Sequence, residues 1–410
     1  MEDLILYAHR HVPYYENIIS SARLVHEEKV CLENFFNLPL LSKDDIRSHF
    51  DELSSRELNE RSWIYKTTGG STGQPLTVIH DNERIDWVNA TKYLRNEWSR
   101  MRFGESRVRI WGSERDLFYG KETLKVRLNR WINNTVWLNA FTLSPKKMVE
   151  FVEIINRKEP KQIKGYTTCL YEFALFIERN GLEIFSPDSI ICSAGTVTKT
   201  VRDKIEQVFK SKVFNSYGSR EIQAMAFECS QHNGLHVMSP IVYMEIVDSN
   251  GNHTKPGEIG EVVLTPFFNY AMPLLRYRIG DMAAWSERND CSCGCSWPLV
   301  KNIEGRVTEC FYKEDGTVVP PEFFIHLVGV VQNDGWIEKF QVVQEDFNQI
   351  MIKIVLKNKD QESIQSDLLR LTEKIQTLMS PECHIKYDFV TEIPNTPSGK
   401  YLYTVSKIKK

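Results

Sequence analysis

Neither sign of charge is in excess: 51 Lys and Arg face 54 Asp and Glu over 410 residues, a formal charge of -3. A broad polyanion-binding surface or a polybasic anchor is therefore not expected, and nucleic acid is not a predicted partner. Long apolar runs are missing too. No stretch reaches the roughly 18 residues that a spanning helix needs, so integral membrane association is not expected. The segment after Met1 begins Glu2-Asp3 and lacks the pattern of a secretory signal. Glycine and proline make up only about 9% of the chain, too little for a collagenous or low-complexity polymer. Also lacking are the GxxxxGK[ST] and GxGxxG nucleotide loops, the GxSxG elbow of serine hydrolases and the HExxH of zinc proteases. These absences remove the commonest hydrolase and nucleotide-loop readings.

What is present is an ordinary globular composition, 42% hydrophobic and 26% charged, in a chain long enough for two or three domains. Nine cysteines is an odd number, and three of them fall in Cys291-Ser-Cys293-Gly-Cys295. A reducing, cytoplasmic setting with a metal cluster fits this better than a disulfide scaffold. Residues 16 to 63 read as mainly helical, with Ser42 and Asp45 spaced as a helix start. A glycine loop, a strand at 76–79 and a helix at 82–100 follow. Strands at 107–111, 163–166, 189–193 and 212–217 alternate with helices at 145–157, 170–180 and 198–210, which predicts an α/β fold with a parallel or mixed sheet. After Gly234 the turn pairs Asn250-Gly251 and Pro256-Gly257 predict a strand-rich stretch. Past a boundary near 305–310, strands at 339–345, 349–357 and 384–390 and a helix at 362–379 predict a smaller α+β domain.

Thr67-Thr68-Gly69-Gly70-Ser71-Thr72-Gly73 is a phosphate-loop candidate, because glycines bring amide hydrogens toward an anion and the hydroxyls donate to its oxygens. Cys291 and Cys293 can face one ion across a turn, and the segment Cys229 to His236 offers another thiol and two imidazoles. Mixed thiolate and imidazole ligands suit tetrahedral zinc. Trp111, Trp131 and Trp137 lie near Arg107, Arg109, Arg127 and Arg130 in the sequence; hydrophobic packing with solvated arginines is preferred to a nucleic-acid stacking groove, and an acyl pocket or an oligomer contact is also open.

Seven segments then carry a resemblance. The glycine loop, Gly165–Ile177, Ser193–Lys199, Asn215–Ile222, Leu274–Asp281, Glu304–Arg306 and Pro394–Lys400 fall in the order of the adenylate-forming superfamily. The opening His11–Ile18 and Leu38–Phe50 resemble its phenylacetate-coenzyme A ligase branch, which includes enzymes associated with capsule and coenzyme synthesis. The resemblance implies a large amino-terminal adenylation domain over 1–305 and a mobile lid over 306–410, hinged near Thr308 and Glu309. By the same resemblance, Thr67 to Gly73 contact the ATP phosphates, Lys400 serves the carboxylate and α-phosphate, and Glu221 holds Mg²⁺. Ser193, Ala194, Gly195, Ser216, Tyr217 and Gly218 meet the adenine, Asp281 accepts the ribose hydroxyls, and Arg306 binds ribose or phosphate. Branch members pair an EC...GLH segment with CxCG, which favours Cys229, His236, Cys291 and Cys293 as structural zinc ligands, with His232 and Cys295 as substitutes.

The implied activity is ATP-dependent activation of a small carboxylic acid to an acyl-adenylate, followed by transfer to coenzyme A. Transfer to an amine or hydroxyl acceptor, or a non-catalytic nucleotide- or protein-binding role, are the alternatives. A homodimer is compatible with this reading.

Overall fold

The structure is a computed structural model that describes residues 1–67, 76–112, 128, 130–141, 143–288, 290–304, 310–319, 321–331, 336–356, 361–394 and 402–408. Two compact units emerge, each discontinuous in sequence. One gathers Met1–Thr67, Leu76–Trp98 and Ser216–Gly305; the other gathers Ser99–Asn215 and Arg306–Lys410.

The first unit begins with helices Glu2–His11 and Pro13–Ser21, whose apolar faces bury Leu4, Ile5, Ala8, Tyr15 and Ile19. The stretch 16–63, expected to be mainly helical, does carry a series of short helices, and one hairpin interrupts them. Val25–His26 and Lys29–Val30 form a small antiparallel hairpin, because Glu27 and Glu28 both take positive φ, 45° and 63°, as a two-residue turn of this twist requires. Ser42 starts the short helix Lys43–Ser48 through a complete capping box with Asp45. Strand Trp63–Thr67, which the sequence reading missed, pairs antiparallel with Thr77–Asp81. The rest of this unit is antiparallel: Ser216–Ser219 pairs with Gln223–Glu228, which pairs with Leu235–Val237. Leu299–Glu304, Tyr277–Trp285, Ile259–Pro266 and Val242–Val247 follow in spatial order. The strand-rich expectation after Gly234 agrees with this.

The second unit holds the parallel part. Gln162–Tyr166 lies between Ser189–Ser193 and Arg107–Ile110, with Thr135–Leu138 outside the last. Helices Pro145–Lys158, Thr167–Arg179 and Lys199–Phe209 alternate with these strands, and the helix from Lys199 is capped by Thr198, as its sequence predicts. Ile337–Asp346 and Gln349–Leu356 form a long antiparallel pair. His384–Phe389 and Thr404–Ser406 flank it in parallel, and helices Pro321–Val331 and Gln361–Leu378 complete an α+β arrangement. One apolar core runs through the whole unit, from Val108 and Ile163 to Phe323, Phe340 and Ile375. Phe141 and Phe323 meet edge to face at 5.8 Å within it. Residues of 306–410 thus share a core with residues of 99–215. Among the described residues, no helix is long and apolar enough to cross a membrane.

Candidate functional site

Glu221 sits at the tip of the hairpin between Lys212–Ser219 and Gln223–Glu228. The hairpin is tight: a Cβ on Gly218 would fall 2.4 Å from the Gln223 carbonyl oxygen, so only glycine fits there. Gln223 turns the chain with φ 69°, and the Ile222 amide donates to Ser219 Oγ at 3.0 Å. The Glu221 side chain is buried, and Tyr277 donates its hydroxyl to Glu221 Oε1 at 3.3 Å.

Two further side chains fasten this tip from outside the hairpin. His80 lies 2.7 Å by Nε2 from the Glu221 carbonyl oxygen. A carbonyl only accepts, so Nε2 carries the hydrogen, and Nδ1 is left to accept from Gln223 Nε2 at 3.3 Å. Both ring nitrogens are satisfied by the neutral tautomer. Burial pushes the imidazole down to about 4, against a raising contribution from the Glu221 carbonyl and a lowering one from Arg84. Arg84, fully buried, donates to the carbonyls of Ile222, Ile241 and Phe267 at 2.6, 2.8 and 2.9 Å. Sequence reasoning singled out none of His80, Arg84 and Tyr277 as a site residue.

Tyr217 and Asp281, expected to meet adenine and ribose, come together: the Tyr217 hydroxyl donates to Asp281 Oδ2 at 2.8 Å. Thr67 is also in this unit, opposite Thr77 in register. The Thr67 carbonyl accepts from Arg220 at 3.2 Å. Thr68 to Gly73, Arg306, Thr308, Glu309 and Lys400 lie outside the described residues.

In the second unit, Ser193 ends a strand and Ala194 takes the left-handed φ of 59° before Gly195. Thr167 Oγ1 holds this bend, lying 3.3 Å from the Ser193 carbonyl and 3.2 Å from that of Gly195.

The remaining constellation is a cluster of sulfur and nitrogen. One ligand atom from each of Cys229, His236, Cys291 and Cys293 lies within 4.8 Å of every other. Cys229 Sγ is 3.6 Å from Cys291 Sγ, and Cys293 Sγ is 3.3 Å from His236 Nε2. His236 Nδ1 donates to the Trp297 carbonyl at 3.2 Å, so the Nε2 lone pair is the one turned to the thiols. The turn at Cys291–Gly294 closes through the Gly294 amide, at φ 82°, and Ser292 ties it to Gln231 on the other loop at 2.9 Å. Burial pushes the Cys229 thiol up to about 12, assisted by Cys291 and Cys293. Cys293 is lowered: burial opposes this, and the Cys295 amide and neighbouring thiols outweigh it. Neither His232 nor Cys295 belongs to the group of four. His232 instead lies 3.6 Å from the Glu228 carboxylate.

Comparison with known proteins places the chain. Residues 311–407 match the family described as the CapK C-terminal domain. Over its full length the chain is 27% identical to Protein CapK of Staphylococcus aureus, of which it covers 88%. It is 22% identical to a phenylacetate-coenzyme A ligase of Thermus thermophilus, over 84% of this chain and 79% of that protein. These likenesses agree with the resemblance of the sequence to the adenylate-forming superfamily and its phenylacetate-coenzyme A ligase branch. The fold is similar as well. A 2-hydroxyisobutyryl-CoA ligase in complex with 2-HIB-AMP and CoA superimposes with a TM-score of 0.65 at 18% identity, covering 99% of this chain and 88% of that one. The supporting roles of His80, Arg84 and Tyr277 had no signal in the sequence, because each reaches Glu221 or its hairpin across 56 to 141 residues.

Proposed function

We propose that this protein activates a carboxylic acid with ATP, forming an acyl-adenylate and pyrophosphate, and passes the acyl group to coenzyme A. The carboxylate oxygen attacks the α-phosphorus, the bond to the pyrophosphate breaks, and the thiol of coenzyme A then displaces AMP from the acyl carbon. The observation that carries the reading is the Tyr217–Asp281 hydrogen bond at 2.8 Å. It sets an aromatic face beside a carboxylate that can accept two ribose hydroxyls, in the unit that also holds Glu221. The likeness to phenylacetate-coenzyme A ligases supports the same chemistry.

Glu221 supplies an oxygen ligand for Mg²⁺, a hard cation suited to carboxylate and phosphate oxygens. Its backbone is pinned by His80 and its side chain is steered by Tyr277, so the carboxylate is oriented before the ion arrives. Magnesium supplies charge neutralisation between the carboxylate and triphosphate anions. Thr67 to Gly73 cradle the outer phosphates, Ser193 to Gly195 offer backbone to the adenine, and Arg306 and Lys400 supply cations to ribose, phosphate and the reacting carboxylate.

The four-ligand cluster holds zinc. Tetrahedral zinc with bonds of about 2.3 Å to sulfur and 2.0 to 2.1 Å to nitrogen sets sulfur pairs about 3.8 Å apart and sulfur–nitrogen pairs about 3.6 Å apart. The observed 3.6 and 3.3 Å lie within a few tenths of an ångström of those edges. With all four positions filled by protein, this metal is a staple joining two loops rather than a Lewis acid.

The test is acid-dependent ATP–pyrophosphate exchange over a broad panel of carboxylic acids, with product masses determined with and without coenzyme A. Acyl-AMP alone and acyl-CoA on adding the thiol support the proposal. An acyl product formed only with an amine or hydroxyl would reassign the acceptor, and no exchange in folded protein would remove the enzymatic reading.

A further inference from the structure

The parallel sheet of the second unit has two unlike faces. Val108, Ile110, Leu138, Ile163, Ile190 and Cys192 point into the apolar core. Strand alternation and the observed register put Arg109, Trp137, Lys164 and Ser193 on the other face, with Arg109 opposite both Trp137 and Lys164. Tyr166 is the register partner of Ser193, and its ring lies 4.1 Å from that of Trp111, just past the end of the Arg107–Ile110 strand. A continuous row of side chains therefore leads from Ser193 to Trp111, with Arg109 in the adjacent row. Two strand spacings across and two residues along put Arg109 about 12 Å from Ser193.

Arg109 is unusual in how it is held. Its guanidinium lies 4.4 Å from the Trp137 ring and 5.4 Å from the Trp111 ring. Arg130 approaches Trp137 as well, at 4.9 Å. Among the described residues the buried Nε of the Arg109 side chain has no hydrogen-bond partner. Burial lowers its affinity for its proton and the nearby Arg130 charge adds to that, with only Tyr166 acting the other way. Stacking fixes the plane of a guanidinium without using its N–H groups. The result is a positioned, half-buried fork of donors whose geometry matches a carboxylate or phosphate oxygen pair.

We propose that Arg109 anchors a second anionic group on the acid, so that the substrate class is a carboxylic acid carrying another carboxylate, phosphate or sulfate at its far end. This rests on the activation chemistry proposed above. The half-buried rings of Trp111 and Trp137 take the body of the acid, and Arg109 takes its distal charge.

The test compares matched pairs in pyrophosphate release without coenzyme A: glutarate, adipate and terephthalate, each against its monomethyl ester. A charge-assisted, two-point contact predicts that one or more diacids exceed their esters in kcat/KM by roughly 10- to 100-fold. Arg109→Gln should bring that ratio close to one while leaving the KM for ATP unchanged, and Arg109→Lys, which keeps the charge and loses the fork, should fall between. Tryptophan fluorescence quenching by the same acids reads binding without catalysis. Saturable quenching by a diacid that Arg109→Gln abolishes would uphold the anion site even if no acid were activated. Equal use of ester and diacid throughout the panel, or a preference that survives Arg109→Gln, would overturn the proposal. So would Arg109-dependent quenching by coenzyme A alone, which would give the anion to the acceptor instead.

Discussion

His80 offers a pH test of the hairpin that carries Glu221. Its imidazole is neutral in the fold, pushed down to about 4 by burial, whereas an unfolded chain returns it to the ordinary value of 6.5. Between those values the unfolded state binds more protons, so the contribution is present above about pH 6.5 and is lost as pH falls toward 4. The complete difference is about 3 kcal/mol, and the part lost between pH 7.0 and 5.5 is about 1 kcal/mol. Other groups titrate over the same range, so the measurement is a difference. Unfolding free energies from urea titrations at the two pH values are compared for the wild type and for His80→Gln, whose amide can still donate to the Glu221 carbonyl. The variant should lose about 1 kcal/mol less on acidification than the wild type. Equal pH dependence in the two proteins would refute the buried neutral imidazole and the tautomer inferred from its partners.

Tyr277→Phe removes the hydroxyl that reaches Glu221 and should raise the Mg²⁺ requirement of adenylation by about three- to tenfold, with folding nearly unchanged; an unaltered Mg²⁺ titration would detach Tyr277 from the metal carboxylate. Untagged protein should hold about one zinc per chain, and Cys229→Ser should reduce that content sharply. Hydrogen exchange after chelation should rise more in 229–295 than in the carboxy-terminal strands, and metal-free native protein would contradict the staple. Lys400→Ala should suppress adenylation by about 10²- to 10³-fold, while a preformed acyl-adenylate should still be converted to thioester. Equal loss of both steps would deny the lysine its place in the first.

Periodic and capped elements were legible in the sequence because their causes are local. Ser42 with Asp45 and Thr198 before its helix were readable within four residues, and the strands and helix of 337–389 follow plain alternation and amphipathicity. The hairpin at Val25–Val30 was not, since Glu27-Glu28 lacks the Asn or Gly that normally announces a turn with two positive φ values. The cysteine and histidine cluster was legible because each half carries a short spacing signal, and the structure brings Cys229, His236, Cys291 and Cys293 together while leaving His232 and Cys295 outside. Cooperation at long range was hidden. Nothing near Arg84 in sequence says that it will be fully buried and bridge three carbonyls, and nothing in Arg107–Trp111 says which arginine will approach two tryptophan rings. The composition break near 306 likewise carried no information about which residues would share a core across it.

The most direct test of the central claim is a single-turnover reaction with ATP, Mg²⁺ and an accepted acid in the absence of any acceptor, quenched and resolved by mass. The account predicts acyl-AMP and pyrophosphate in equal amounts, followed by acyl-CoA and AMP when coenzyme A is added. Formation of ADP and phosphate, or turnover of ATP with no acyl-AMP at any time, would contradict it.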